Sequence, residues 1–359
     1  MRILFTANAM WNLAHFRIGL IKAFLGAGHD VVALAPFDGH ETALKNLGVG
    51  VRDLPMQPNG QNPLHDAQLY MRLRREFKMI NPACVLSFTI KNNIYGAIAA
   101  RHLDLRFIPN VTGLGTVFLS GRFKESLAET LYRFAFKNLQ TVFFQNRDDA
   151  ELFEARRLVK SRQVRLLAGS GIDLHKFAAA PLQDDAMTFL MIARLIREKG
   201  VTEYVEAARE IKSLDKSIKF QLMGPLADKN PSSISQSTLD EWTSAGDIEY
   251  LGAAPDVRPY IAAASCVVLP SYREGAPRAL IEASAMARPS ITTDVPGCRS
   301  VVEHNKTGLL VKVNDSASLR DAMLKFARTN ESEREVMGMN ARKKAEREFD
   351  ERYVIEAYK

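Results

Sequence analysis

Cysteine is scarce in this 359-residue chain: Cys84, Cys266 and Cys298 are an odd number with neither metal-ligand nor redox spacing. A disulfide framework is therefore excluded, and Cys84 and Cys266, set in apolar strand-like runs, read as reduced core residues of a cytoplasmic protein. No run of about 18 apolar residues occurs, so no membrane-spanning helix is expected. The opening Arg2-Ile3-Leu4-Phe5 reads as a first strand, and Asn8, Asn12 and His15 interrupt any apolar segment after it, so no secretory leader is expected. Thr6-Ala7-Asn8-Ala9-Met10-Trp11-Asn12 stands where a dinucleotide-binding fold would place G-x-G-x-x-G, which weighs against an oxidoreductase. No acidic D-x-D triad appears at a strand end, so any phosphate chemistry here is expected to need no metal and no other cofactor.

What is present is alternation. Short β-branched runs are expected as strands at 2–6, 30–35, 50–54, 83–87, 106–110, 141–145 and 163–167, with helical periodicity near 14–27, 40–47, 64–80, 91–103, 122–138 and 147–156. After Gly169-Ser170-Gly171-Ile172-Asp173 the small, polar stretch 178–185 reads as a linker, and a second series begins. Its strands are expected at 188–193, 219–224, 248–251, 266–269, 290–293 and 308–312, and its helices near 200–213, 256–264, 277–286, 298–303, 316–328 and 331–348. Such a pattern argues for two α/β, Rossmann-like domains, each a parallel sheet covered on both faces. The domains are expected at 1–170 and 171–345, with a helix in 346–359 crossing back to the first. Charge divides along the same line: 22 Lys and Arg against 13 Asp and Glu in residues 1–170 leave +9, whereas 26 against 28 in the remainder leave −2. Two modules with different partners are implied.

The most informative stretch is Pro270-Ser271-Tyr272-Arg273-Glu274-Gly275-Ala276-Pro277-Arg278-Ala279-Leu280-Ile281-Glu282, which follows the buried-strand run Cys266–Leu269. Pro277 suits the first turn of a helix, so the unit reads as strand, Gly-containing turn and helix, a turn that lies where open α/β sheets bind ligands. Free N–H groups at the helix start attract an anion, and carboxylates at 274 and 282 accept bonds from paired hydroxyls. Two glutamates eight apart also arise by accident on charged helices. A second basic stretch, Met191–Gly200, carries Arg194 just after a strand and Lys199 where a helix opens, so both are expected to converge on an anion.

Together these two stretches resemble the retaining GT-B glycosyltransferases of family 4, whose E-x7-E signature the 270–282 string matches in its strand–turn–helix setting. The resemblance implies a GT-B fold, two Rossmann-like domains facing across a cleft, and transfer of a hexose or N-acetylhexosamine unit from a UDP-sugar with retention. It also implies Glu274 on the donor sugar, Glu282 on the ribose, and Arg194 and Lys199 on the diphosphate, so that Glu274, Arg194 and Lys199 form the catalytic set. Gly224 resembles the family's glycine before a variable loop, and Leu251 and Val257 belong to the segment around the base. Gly275, Ala276 and Pro277 complete the donor-nucleotide set. Asp294-Val295-Pro296-Gly297-Cys298 reads as a structural turn, and Pro231–Ser235 as a polar insertion without evident purpose.

On the acceptor side, His15, Lys91, Asn92 and Thr112 are candidates because each falls near the end of a first-domain strand. No histidine stands near the ends of the fourth and fifth strands, where many relatives carry one. His15-Phe16-Arg17, Lys91-Asn92, Gly113-Leu114-Gly115 and Gly171-Ile172-Asp173 resemble a bacterial subgroup that extends sugars on undecaprenyl diphosphate. That resemblance implies a polyprenyl-diphosphate-linked acceptor, cell-surface glycan synthesis, no nucleic-acid partner and a position on the inner face of the plasma membrane. Two basic helices agree with an anionic membrane partner. One carries Arg72, Arg74, Arg75 and Lys78 opposite Leu69, Leu73, Phe77 and Ile80; the other carries Arg122, Lys124, Arg133 and Lys137 with Phe123, Leu127, Leu131 and Phe134 at helical spacing. Two rival classes remain at this point: a GT-B-fold UDP-sugar epimerase, and a noncatalytic subunit of a sugar-polymer complex.

Overall fold

The computed structural model describes residues 1–57, 62–114, 122–182, 186–227 and 230–359, with backbone only at 122–124. Gly115, part of one expected motif, lies outside the described residues, as do the side chains of Arg122, Phe123 and Lys124. Two compact units emerge: residues 1–171 with 351–359, and residues 172–350. Residues 346–350, assigned from sequence to the returning segment, therefore belong to the second unit.

The first unit runs β1 (Arg2–Thr6), α1 (Met10–Phe16), α2 (Ile18–Gly26), β2 (Asp30–Ala35), α3 (Glu41–Lys45), β3 (Gly50–Asp53), α4 (Pro63–Ile80), β4 (Cys84–Ser87), α5 (Ile90–Arg101), β5 (Arg106–Val111), α6 (Arg122–Phe136), β6 (Val142–Phe144), α7 (Arg147–Ala155) and β7 (Val164–Leu166). The second runs β8 (Thr188–Ile192), α8 (Val201–Leu214), β9 (Lys219–Met223), α9 (Gln236–Ser244), β10 (Glu249–Tyr250), α10 (Arg258–Ala263), β11 (Cys266–Leu269), α11 (Arg278–Ala285), β12 (Ser290–Thr293), α12 (Cys298–Val301), β13 (Gly308–Val311), α13 (Ser316–Arg328) and α14 (Glu331–Lys344). The last helix, α15 (Glu351–Tyr358), returns to the first unit.

Every strand expected from sequence is present, its ends within one residue. The reason is visible in the core of the first unit, where successive strand residues alternate between two clusters. Leu4, Val32, Leu34, Val85, Phe107 and Phe144 point to one face, under α4 and α5. Ile3, Phe5, Val31, Ala33, Leu86, Ile108 and Phe143 point to the other, with Met10, Leu13, Ile21 and Phe24. A strand buried on both faces reads as a mostly apolar run, and each large apolar side chain so buried contributes about 1.5–3 kcal/mol. Sheet order is β3-β2-β1-β4-β5-β6-β7 in the first unit and β10-β9-β8-β11-β12-β13 in the second. Connectivity thus reverses beside β1 and beside β8, the kind of position at which open α/β sheets bind ligands.

Several expectations change. The helix expected over 14–27 is two helices that meet at Arg17, whose backbone leaves the helical region at φ −122° and ψ 5°. Helix α9 was not expected; Ser235 caps it by accepting the Thr238 N–H at 3.1 Å, and Leu239 and Trp242 give it a buried edge. The start of the supposed linker is stapled down. Buried Arg288 donates to the carbonyls of Ala180 and Pro181, each at 2.7 Å, and to that of Ala262 at 2.5 Å. The cysteines are free thiols, and burial pushes that of Cys84 up to about 11 and that of Cys298 up to about 12.

Candidate active site

In the second unit, β8 and β11 are neighbours, and both functional stretches leave from their carboxyl ends. The two loops are tied directly together. Tyr272 donates its backbone N–H to the Glu198 carbonyl at 2.9 Å, and Ser271 Oγ donates to the same carbonyl at 3.0 Å. Gly200 makes this approach possible: at φ +77° it sits where a Cβ would lie 2.1 Å from the Pro270 carbonyl oxygen. From these loops Lys199 Nζ and Glu274 form an ion pair across 75 residues of sequence. The cation expected at the donor phosphate and the carboxylate expected at the donor sugar thus occupy one point, both largely shielded from solvent.

Arg194, just beyond β8, is exposed, and no ion pair to it occurs among the described residues. Lys199 pairs with Glu274, whose carboxylate stabilises the half-buried cation. Helix α11 begins at Arg278, so Pro277 is its cap and not its first residue. Gly275 and Pro277 are buried in the turn and Ala276 is half-buried. Glu282 lies one turn into α11 and accepts from Arg278 Nε at 2.8 Å, an i,i+4 contact. Burial raises the Glu282 carboxyl above the usual carboxylate range, and Arg278 opposes that shift.

Gly224 closes β9 by bonding its N–H to the Gly252 carbonyl at 2.8 Å, while its own carbonyl accepts from the Tyr250 hydroxyl at 2.9 Å. Leu251 pairs with the Leu222 carbonyl, and Val257 caps α10. These are backbone roles, at the carboxyl edge of β9 and β10.

Four supports were not legible as such. The polar insertion has a purpose: Ile234 donates to the Leu195 carbonyl, Arg197 to the Ser232 carbonyl, and Ser232 Oγ lies 2.5 Å from Glu198 Oε2. It backs the basic loop along its length. The turn at 294–298 holds the glutamate loop, because Gly297 at φ +81° approaches so closely that a Cβ would lie 2.5 Å from the carbonyl oxygens of both Glu274 and Gly275. Tyr272 donates to buried Glu203 at 2.5 Å, and burial raises the tyrosine's pKa. Arg278, finally, orients Glu282; its i,i+4 spacing was the one available signal.

The acceptor candidates in the first unit fare differently. Asn92 is fully buried: its amide donates to Thr6 Oγ1 at 2.8 Å and to the Ala7 carbonyl at 3.2 Å, and its oxygen accepts from Thr89. It ties the end of β1 to α5 and is not offered to a ligand, which corrects the expectation. Lys91 pairs with Asp66 at 2.7 Å, and Tyr95 donates to the other oxygen of Asp66 at 2.8 Å, so its charge serves to join α5 to α4. Thr112 is half-buried just past β5. His15 is exposed on α1, with Nδ1 3.0 Å from the Trp11 carbonyl oxygen. Arg17 is buried, its guanidinium 4.2 Å from the centre of the Phe88 ring.

Comparison with known proteins identifies the two domains. Residues 19–169 match the model of the glycosyl transferase 4-like domain, and residues 175–344 that of the glycosyl transferases group 1. A Campylobacter jejuni N,N'-diacetylbacillosaminyl-diphospho-undecaprenol alpha-1,3-N-acetylgalactosaminyltransferase is 28% identical, covering 100% of this chain and 97% of that one. An Escherichia coli UDP-Gal:alpha-D-GlcNAc-diphosphoundecaprenol alpha-1,3-galactosyltransferase is 26% identical over 77% of this chain and 73% of its own. In fold, the chain superposes on Anabaena Alr3699/HepE in complex with UDP and glucose with a TM-score of 0.79 at 17% identity, covering 100% and 98% of the two chains. None of these comparisons favours an epimerase. With a 4-like domain in its first half and a group 1 domain in its second, the chain belongs to the GT-B glycosyltransferases and is a glycosyltransferase.

Proposed function

We propose that this enzyme moves a hexose or N-acetylhexosamine unit, with retention, from a UDP-sugar to a sugar carried on a polyprenyl diphosphate. The observation that carries the donor half is the meeting of Lys199 with Glu274 at the end of β8 and β11, beside exposed Arg194. A diphosphate leaving group gains negative charge as the glycosidic bond breaks, and fixed cations at that point stabilise it. Retention without an evident enzyme nucleophile assigns removal of the acceptor proton to the leaving phosphate, on the same face of the sugar. Both curated relatives described above are named for diphospho-undecaprenol acceptors, which supports the acceptor half. A panel of UDP-sugars offered with short-chain prenyl-diphosphate glycans tests the reading, with product anomer read by NMR. Cationic side chains do the work a metal would otherwise do, so EDTA is expected to leave the initial rate unchanged; a rate abolished by EDTA and restored by Mg or Mn ions contradicts this.

The same reading puts the first unit against an anionic membrane surface. On α4 the residues Leu69, Leu73, Phe77 and Ile80 are core, whereas Arg72, Arg74, Arg75 and Lys78 are exposed together with Leu64, Met71 and Met79. Helix α6 departs from expectation. Ala128, Tyr132, Ala135 and Phe136 are its core side, while Leu127 (56% exposed) and Phe134 (51%) stand outward beside Arg133 and Lys137. Both helices flank α5 on one face of the sheet. Near the end of α6, Lys137, Lys160 and Arg162 line a concavity of about 470 Å³. An apolar residue amid cations suits an anionic interface: each Lys or Arg near it contributes about 1 kcal/mol, screened by salt. Flotation is expected with anionic vesicles, falling as salt rises, and falling further in a Leu127→Ser/Phe134→Ser variant. Equal flotation with neutral vesicles, or none with either, contradicts it.

A further inference from the structure

The carboxyl edge of the first sheet carries an aromatic surface that the donor chemistry does not use. Trp11 is 39% exposed and Phe37 46%. The Trp11 ring lies 4.9 Å from His15 at an interplanar angle of 31°, and Phe16 braces it edge-on, also at 4.9 Å. His40, from the loop after β2, meets His15 at 5.1 Å. Asp38 locks the two loops together: one oxygen accepts the Trp11 backbone N–H at 2.8 Å, and the other lies 3.1 Å from His40 Nδ1 and accepts the His40 N–H at 3.2 Å. Helix α1 packs into the core face opposite the one under α4, so these rings are separate from the basic helices.

We propose that Trp11, His15 and His40, clamped by Asp38, form a platform on which a pyranose ring of the acceptor glycan stacks. The inference rests on the reading of the first unit as the acceptor side. An indole held by its neighbours offers a flat, electron-rich face at little conformational cost, and the C–H bonds on one side of a pyranose are weakly positive and apolar. Imidazole nitrogens and the Asp38 carboxylate at its border match the hydroxyls around such a ring. Charge argues against a membrane here. The loop's backbone N–H groups are held by Asp53 (to Phe37, 3.0 Å) and Glu41 (to Gly39, 3.0 Å), which with Asp38 set three carboxylates against the one Lys45 ammonium, 5.9 Å from the centre of the Phe37 ring. A neutral sugar is admitted where an anionic leaflet is repelled.

Only two tryptophans exist, and Trp242 is buried in α9, so Trp242→Phe leaves Trp11 as the sole indole reporter in the full-length protein. Titrating that variant with the methyl glycosides of N-acetylgalactosamine, N-acetylglucosamine and galactose is expected to give a saturable emission change with at least one, weakened threefold or more by His40→Ala. With a prenyl-diphosphate-linked glycan as acceptor, Trp11→Ala is expected to raise KM tenfold or more at unchanged UDP affinity, and Trp11→Phe to recover to within threefold of the parent. Emission unmoved by every glycoside, emission moved by vesicles but not by sugars, or a Trp11→Ala acceptor KM within twofold of the parent overturns the platform. The fluorescence arm reads it without turnover, so a protein that transfers to no offered acceptor counts against the acceptor reading alone.

Discussion

Replacing Lys199 with Met is expected to lower the transfer rate by about two to three orders of magnitude, the usual consequence of removing one group aimed at developing negative charge. The same change should weaken UDP binding, since a charge-assisted contact contributes roughly 1.5–3 kcal/mol. Two features make this the larger effect of the two donor cations. Lys199 is mostly shielded and already in contact with Glu274, so in the proposed reading its field would act in a low dielectric where sugar and phosphate part. Arg194 is exposed, so Arg194→Ala should cost less in both quantities, water screening part of its charge. Isothermal calorimetry with UDP and initial rates with the full donor separate the two variants. Circular dichroism should stay native, because Arg194 lies in a loop and Lys199 ends a single 3-10 turn at the sheet edge. Unchanged UDP affinity in both would remove the diphosphate from this part of the molecule.

The ordering of these effects could not have been reached from sequence. Arg194 and Lys199 stood out because a cation just past a strand and another at a helix start are a local pattern, and the strand–turn–helix around Glu274 was local too. Most local patterns were read well: runs such as Cys266–Leu269 are apolar at every position because both faces are covered. What escaped were contacts between distant segments. Nothing near Tyr272 announces Glu203, and nothing near Glu198 announces Ser232, yet these bonds anchor the glutamate loop to α8 and the basic loop to the 231–235 segment. Helix α9 was missed since its cap, Ser235, lies in a serine-rich stretch that reads as irregular. Asn92 shows the opposite error. A polar residue at a strand end reads the same whether it meets a ligand or a neighbouring strand, and only its complete burial against Thr6 and Ala7 distinguishes the two.

The pair Glu274 and Glu282 should divide the donor between them. Glu282→Gln keeps the shape and the burial but loses charge-assisted acceptance from ribose hydroxyls, so affinity for UDP should fall by roughly 1.5–3 kcal/mol. Glu274→Gln should leave free UDP affinity nearly unchanged and act on turnover with the intact donor, because the contact assigned to it is with the sugar. The pH dependence follows from the direction of the Glu282 shift. Burial raises its carboxyl, so on acidification it takes up a proton at a higher pH than an ordinary carboxylate does. Affinity for a UDP-sugar, whose fully esterified diphosphate does not itself titrate there, should therefore begin to fall above the normal carboxylate range. Stability moves the other way. A folded pKa above the unfolded one means the folded state binds the proton more tightly, so this group's contribution is present at low pH and is lost as pH rises through the raised value. Glu282→Gln should flatten both curves at once, weakening UDP-sugar binding at neutral pH while relieving the cost of burying a charge that Arg278 only partly offsets. If Glu274→Gln and Glu282→Gln weaken free UDP equally, or if the Glu282→Gln protein keeps the parent's pH profile of UDP-sugar binding, ribose recognition does not reside in this carboxylate.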